Sequence, residues 1–310
     1  MLQYMIILLD DTSTSFCHYA NTKKERRPID VETLRKGIRY SMTENLMIQF
    51  VYPDYGLPED IRREIETIDH SKIKPKADDD ADVLVLNEWS LTDLPTDIPV
   101  VLRTTKTELF DRYKELKDVL GNVLRLNIVI TDVETFTDTD FDAYKKVLKE
   151  LSETIENLYV DGKSPQLNIL TDRMMLKEMN NCGAGDTSIT LAPNGKFYVC
   201  PAFYHEDEKD SVGDLESGLD IKNRQLYKLD YAPICRHCDA WQCKRCVWLN
   251  RKTTLEVNTP SHEQCVVAHL ERNASKELLA NIRKHGMFLP GNEDIKEIDY
   301  LDPFDKRDEW

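Results

Sequence analysis

No stretch of this 310-residue chain approaches the roughly 18 uninterrupted apolar residues that a membrane span requires. Positive charge is also short. Lys and Arg number 41 against 56 Asp and Glu, a net charge of −15, and a nucleic-acid binder needs a basic surface to displace counterions. Neither a membrane nor a nucleic-acid partner is therefore expected. There is no internal repeat and no low-complexity tract. The chain also lacks a Ser-His-Asp ordering, a Gly-x4-Gly-Lys-Ser/Thr phosphate loop and a His-Glu-x2-His zinc-protease motif.

What is present describes an ordinary folded protein, with 41% hydrophobic and 31% charged residues. At about 100–200 residues per domain, the length suggests two domains or one large α/β domain. The start, Met1 to Leu9, is apolar but meets Asp10 and Asp11, with no basic leader or small-residue cleavage site. It reads as a buried first strand, and the chain as cytoplasmic. Thiols stay reduced in that compartment, so the eight cysteines read as metal ligands rather than disulfides.

The first half alternates strand and helix patterns. Strands are expected at Tyr4–Leu9, Leu46–Tyr52, Val83–Leu86, Ile98–Leu102, Leu124–Ile130 and Leu167–Leu170. Between them, Val31, Leu34, Ile38 and Met42 recur at helical spacing behind a candidate N-cap, Asp30. Further helices are expected over Glu59–Ile68, behind Pro58, and over Thr107–Leu120 and Asp140–Leu158. An acidic turn is expected at Asp78–Asp82. Six strands with helical crossovers predict a parallel sheet, as an open six-stranded partial barrel or a doubly wound sheet. Ligands of such folds sit at the C-terminal ends of the strands. The long loop after strand one, Asp10–Asp30, is a functional candidate on that ground. It carries Cys17 and His18, Asp10 and Asp11, and a basic cluster of Lys23, Lys24, Arg26 and Arg27 suited to steering an acidic peptide.

Cys17 stands alone in that half. Cys182, Cys200, Cys235, Cys238, Cys243, Cys246 and Cys265 share one window, which places a domain boundary near residue 175. Four of them form the compact run Cys235-Arg-His-Cys238-Asp-Ala-Trp-Gln-Cys243-Lys-Arg-Cys246. Closely spaced thiolates suit tetrahedral zinc or the irons of an Fe–S cluster. A single structural zinc would normally separate its two Cys-x2-Cys pairs by more than the four residues found here. Seven thiolates suggest two sites. His237 is an alternative ligand within the run, and Trp241 and Trp248 are placed to shield a centre from water. Asn194-Gly195 signals a hairpin between Cys182 and Cys200, and Gly183 and Gly185 would let backbone approach an inorganic centre. A helix is expected over Ala274–His285, and Gly291–Trp310 reads as a poorly ordered or surface-docked acidic tail.

The opening Cys182-Gly-Ala-Gly, the Pro-Asn-Gly hairpin closing on Cys200-Pro, the quartet and the distal Cys265 resemble the SPASM domain. That domain is the auxiliary-cluster module of peptide-modifying radical S-adenosylmethionine enzymes. The quartet's later gaps are four and two residues, where the family usually has five and three. The resemblance implies that Cys182, Cys200 and Cys246 hold one [4Fe–4S] cluster, with an iron open to a substrate thiolate. It implies that Cys235, Cys238, Cys243 and Cys265 hold a second. The first half resembles the partial barrel of the same enzymes with one omission. Their Cys-x3-Cys-x2-Cys loop keeps only Cys17 here, with Asn21 and Lys24 where that spacing would put the other two cysteines. One thiolate cannot hold the three irons that leave a fourth for S-adenosylmethionine, so that cofactor is not expected. A degenerate barrel joined to such an end looks most like the CXXX-repeat peptide maturases.

The resemblance therefore implies a radical-SAM-like partial barrel over residues 1–175, a SPASM-like domain over 176–275, and a helical, acidic tail over 276–310. It implies a role in maturing a cysteine-containing precursor peptide beside a true radical enzyme. A non-catalytic partner that presents the precursor, and a zinc-stapled binding protein, are the alternative readings.

Overall fold

The computed structural model describes residues 1–76 and 80–296. Elements follow in the order β1 (Tyr4–Leu8), α1 (Val31–Thr43), β2 (Met47–Val51), α2 (Glu59–Ile65), β3 (His70–Lys74), β4 (Val83–Leu86), β5 (Pro99–Thr104), α3 (Lys106–Val119), β6 (Arg125–Ile130), α4 (Asp138–Val160) and α5 (Asp172–Met175). Then come β7 (Ser188–Leu191), β8 (Phe197–Tyr198), α6 (Pro201–Glu206), β9 (Gly213–Asp214), β10 (Gly218–Leu219), α7 (Val247–Thr254) and α8 (His262–Lys284). The chain divides into two compact units, each discontinuous in sequence. The first comprises Met1–Asn87 and Gly183–Tyr231, the second Glu88–Cys182 and Ala232–Trp310.

In the first unit the strands run in the order β4-β3-β2-β1-β7-β8. All neighbours are parallel except the β7–β8 hairpin. Alternate residues of β1 and β2, Met5 and Ile7 with Ile48 and Phe50, bury their side chains in one core with Leu34 and Ile38 of α1, Ile61 and Ile65 of α2, and Leu191. Asp30 caps α1 by accepting the Thr33 N–H at 2.9 Å. Gly37 faces the sheet from the middle of α1, because a β-carbon there would run into the Leu191 methyl.

Of the expected strands, the first two and Val83–Leu86 form within a residue or two of their predicted limits. A strand at His70–Lys74 was not expected. Ile73 is its one strongly apolar residue, while Lys72 and Lys74 are buried at 9% and 8% exposure. Their ammonium groups are neutralised by Glu66 and Asp80. A strand that buries lysine stems with paired heads leaves no apolar run to read. Residues 78 and 79 of the expected acidic turn lie outside the described residues.

In the second unit β5 pairs parallel with β6, and α4 packs on α3 and α8. Phe110, Phe136, Phe141 and Tyr144 stack in this layer with centroids 5.7–6.4 Å apart. The expected strand at Leu167–Leu170 reduces to one parallel bridge between Leu126 and Leu167. The chain turns there at once, with Leu170 and Thr171 N–H both bonded back to the Leu167 carbonyl. The expected helix at Ala274 begins instead at His262, capped by Ser261. Of the acidic tail, residues 291–296 are described. Asn292 donates to the Met174 carbonyl at 2.9 Å and Ile295 is buried, so this part is docked. Residues 297–310 lie outside the described residues. No helix among the described residues is long and apolar enough to cross a membrane.

Candidate functional site: a thiol-lined cavity

The cysteine run sits in the second unit as a loop rather than as regular structure. A single helical turn covers Cys235–His237, and the Cys238 N–H closes on the Cys235 carbonyl at 3.1 Å. The chain then reverses through Arg245, which adopts a left-handed conformation with φ of 47°. Two backbone hydrogen bonds tie the loop to the preceding segment, Asn180 N–H to Trp241 O at 2.8 Å and Cys182 N–H to Lys244 O at 2.9 Å. The loop is latched below by a buried ion pair, Arg272 Nη1 to Asp239 Oδ1 at 2.6 Å. Arg173 Nε donates to the Asp239 carbonyl at 2.6 Å, and its guanidinium lies 4.0 Å from the Trp241 ring centroid. Trp241 therefore packs against a cation, and Trp248 stands 5.3 Å from Lys252 Nζ. His237 is exposed.

Cys235, Cys238, Cys243 and Cys265 line one cavity of about 30 Å³, together with His269 and Arg245. The last two were not singled out in the sequence. Backbone donors point at two of the sulfurs: Ala240 N–H reaches Cys238 Sγ at 3.4 Å and Arg245 N–H reaches Cys243 Sγ at 3.5 Å. His269 Nε2 lies 3.5 Å from Cys238 Sγ. Burial pushes the Cys238 thiol up to about 12 and raises Cys243 as well. Such thiols stay protonated at neutral pH, and a metal must displace their protons to bind. Cys246 is also pushed up to about 12, by burial first and then by the nearby Cys182. The second unit thus holds six of the seven predicted ligands. Cys200 belongs to the first unit, at the N-terminus of α6.

The donor chemistry of the cavity fits a thiolate-bound metal centre. Its lining has four thiols, an imidazole and no carboxylate. Arg245, 2% exposed, supplies the buried positive charge that an anionic centre needs. A space of about 30 Å³ is ion-sized. Among the described residues, however, no three or more His, Cys, Asp or Glu side chains converge as a metal ion would require. The thiols surround a space rather than meeting at a point.

Gly183 and Gly185 have a different role from the one expected. Both are left-handed, with φ of 77°, and the space beside them is filled by Thr187 and Tyr227. The Gly183 carbonyl accepts the N–H groups of Asp186, Thr187 and Ser188, so the pair forms a tight turn into β7.

The loop after β1 is held by its own side chains. Ser13 Oγ accepts the Asp10 N–H at 3.0 Å and donates to Val51 O at 2.8 Å. Tyr55 donates to Asp10 at 2.8 Å, and Asn21 bridges the Asp11 and Ser13 carbonyls at 2.8 and 2.9 Å. Asp11 pairs with Arg27 Nε at 2.7 Å and accepts from the Tyr204 hydroxyl. Lys23 pairs with Glu208 and lies 3.8 Å from the Tyr204 ring centroid. Two of the four expected steering cations, Lys23 and Arg27, are therefore committed within this unit. Arg26 lies 4.2 Å from the Tyr55 ring centroid, and Lys24 is exposed. His205 stacks on Tyr19 at 5.4 Å, and burial lowers its imidazole to about 4. Cys17 is half-buried in the same loop.

A second cavity, about 730 Å³, opens past the C-terminal ends of β2 and β3 in the first unit. Tyr52 and Tyr55 line it, with Arg62, Arg63, Lys74 and Asp80 around them. Its place is the one an α/β sheet favours for ligands. The strand at 70–74 that forms one wall was hidden in the sequence, so the cavity was hidden with it.

No family model matches the chain, and no curated protein matches it. Solved structures do. The chain is similar to anSMEcpe with bound AdoMet, at 12% identity over 91% of this chain and 96% of that one, with a TM-score of 0.62. It is also similar to anSMEcpe with AdoMet and the Cp18Cys peptide, at 13% identity over 91% and 99%, with a TM-score of 0.61. The likeness is one of fold: mixed α/β, with mostly parallel strands and helices, as in anSMEcpe.

Proposed function

We propose that this chain takes part in the maturation of a ribosomally made, cysteine-repeat (CXXX) peptide, binding the precursor and acting with a separate radical S-adenosylmethionine enzyme. The observation that carries the reading is the cavity ringed by Cys235, Cys238, Cys243 and Cys265. Support comes also from the fold, whose similar structures were solved with peptides bound. In this reading residues 1–175 are the degenerate barrel and 176–275 the SPASM-like domain, with 276–310 as tail. The four cavity thiols hold one [4Fe–4S] cluster. The sequence resemblance assigns Cys182, Cys200 and Cys246 to another. When bound, such a cluster supplies one-electron transfer and, at an open iron, a contact for a thiolate.

The chain's own residues do the rest. Arg245 offsets the negative charge of the thiolates, the Ala240 and Arg245 N–H groups stabilise them, and the Asp239–Arg272 pair fixes the loop that presents them. The loop after β1 has one cysteine and is closed by Ser13, Asn21 and Asp11. A single cysteine in place of three supports a reading in which a separate partner starts the radical chemistry.

The zinc reading has one observation behind it, the ion-sized volume.

The test is turnover of a cysteine-repeat precursor with S-adenosylmethionine and a reductant, followed by mass spectrometry. A mass change that needs both this chain and a radical partner is expected. Full modification by the partner without this chain would reject the proposal.

A further inference from the structure

His269 carries a clue that the cysteine spacing does not contain. It lies four residues after Cys265 on α8, which places both side chains on one face of the helix. Both line the thiol cavity, and His269 is only 8% exposed. Its distal nitrogen, Nε2, lies 3.5 Å from Cys238 Sγ, an ordinary N–H···S separation. The Ala240 N–H reaches the same sulfur at 3.4 Å. Cys238 is thus approached by two nitrogens, one from its own loop and one from α8.

Resting on the cluster reading above, we infer that His269 is a positioning residue for the metal centre, donating Nε2–H to the Cys238 thiolate. A metal-bound thiolate carries no proton, so in the loaded protein the proton of this contact sits on nitrogen. A neutral imidazole protonated at Nε2 meets the requirement without gaining charge. Hydrogen bonds to cluster sulfurs withdraw negative charge from the metal and raise its reduction potential. Outer contacts of this kind also orient the ligand that receives them. His269 therefore makes the centre easier to reduce and links the Cys238 end of the loop to the helix that carries Cys265. The imidazole is a donor to a ligand, not a ligand itself.

The experiment uses the full chain, reconstituted anaerobically with iron and sulfide, as wild type, His269→Ala and His269→Gln. Iron and sulfide are counted first, then midpoint potentials are measured by EPR-monitored titration, with pulsed EPR for nitrogen coupling. The expected result is equal iron in all three, a midpoint shifted to more negative potential in His269→Ala, and partial recovery in His269→Gln, whose amide can donate. Loss of iron in both variants, or a strong nitrogen coupling that disappears with the imidazole, would make His269 a ligand and overturn the assignment. Full iron with unmoved potentials would also overturn it and leave the cluster reading standing. Failure of the wild type to take up iron and sulfide would reject the cluster reading itself, and the inference with it.

Discussion

Glu271 sits one turn of α8 beyond Val267, inside the second unit, where it accepts hydrogen bonds from Tyr144 at 2.8 Å and Gln242 at 3.3 Å. Burial pushes its carboxyl up to about 7 from an ordinary 4.5, against the pull of those two donors. Between those values the folded chain holds a proton that the unfolded chain has released. Stability therefore falls as pH rises through this window and levels off above it. A gap of about 2.5 pH units, at about 1.4 kcal/mol each, corresponds to about 3–4 kcal/mol. Glu271→Gln keeps the shape and removes the titration. Urea unfolding of the second unit, followed at about pH 5 and about pH 8, should find the two proteins close at the lower pH. At the higher pH the variant should be more stable by about 3–4 kcal/mol. An equal difference at both values would refute the reasoning, because it would mean that Glu271 carries its charge in the fold at no cost.

Two further substitutions test the packing argument. Asp239→Ala leaves Arg272 buried without its carboxylate, and should cost about 3–5 kcal/mol in the same assay while loosening the cysteine loop to proteolysis. Gly37→Ala gains helix propensity but drives a methyl into Leu191 in a closed core. A net loss of about 1 kcal/mol is expected by denaturant midpoint, and a stabilised variant would show that the α1–sheet spacing is slack.

Periodicity made much of the fold legible. Val31, Leu34, Ile38 and the cap Asp30 mark a helix that forms as read, and the apolar runs of β1 and β2 mark the buried centre of the sheet. β3 escaped because Lys72 and Lys74 are buried through their stems while Glu66 and Asp80 hold their heads. The start of α8 escaped for a related reason. Its buried face carries Gln264, His269 and Arg272, polar residues that a hydrophobic pattern discards. The cysteine spacing drew attention to this loop, three of whose cysteines line one cavity with Cys265 of α8. It could not reveal Arg245, Asp239 or Glu271, whose importance comes from burial in three dimensions. One signal was available: the Cys265–His269 spacing reads as a shared helix face once a helix is granted there.

The measurement that bears most directly on the account is the iron, acid-labile sulfide and zinc content per chain after anaerobic reconstitution, in the wild type and in Cys235→Ser/Cys265→Ser. About eight irons with matching sulfide are predicted for two [4Fe–4S] clusters, falling to about four in the double variant. Zinc at one or two per chain without sulfide would contradict the account and leave a zinc-stapled binding protein. About twelve irons would contradict the reading of the loop around Cys17.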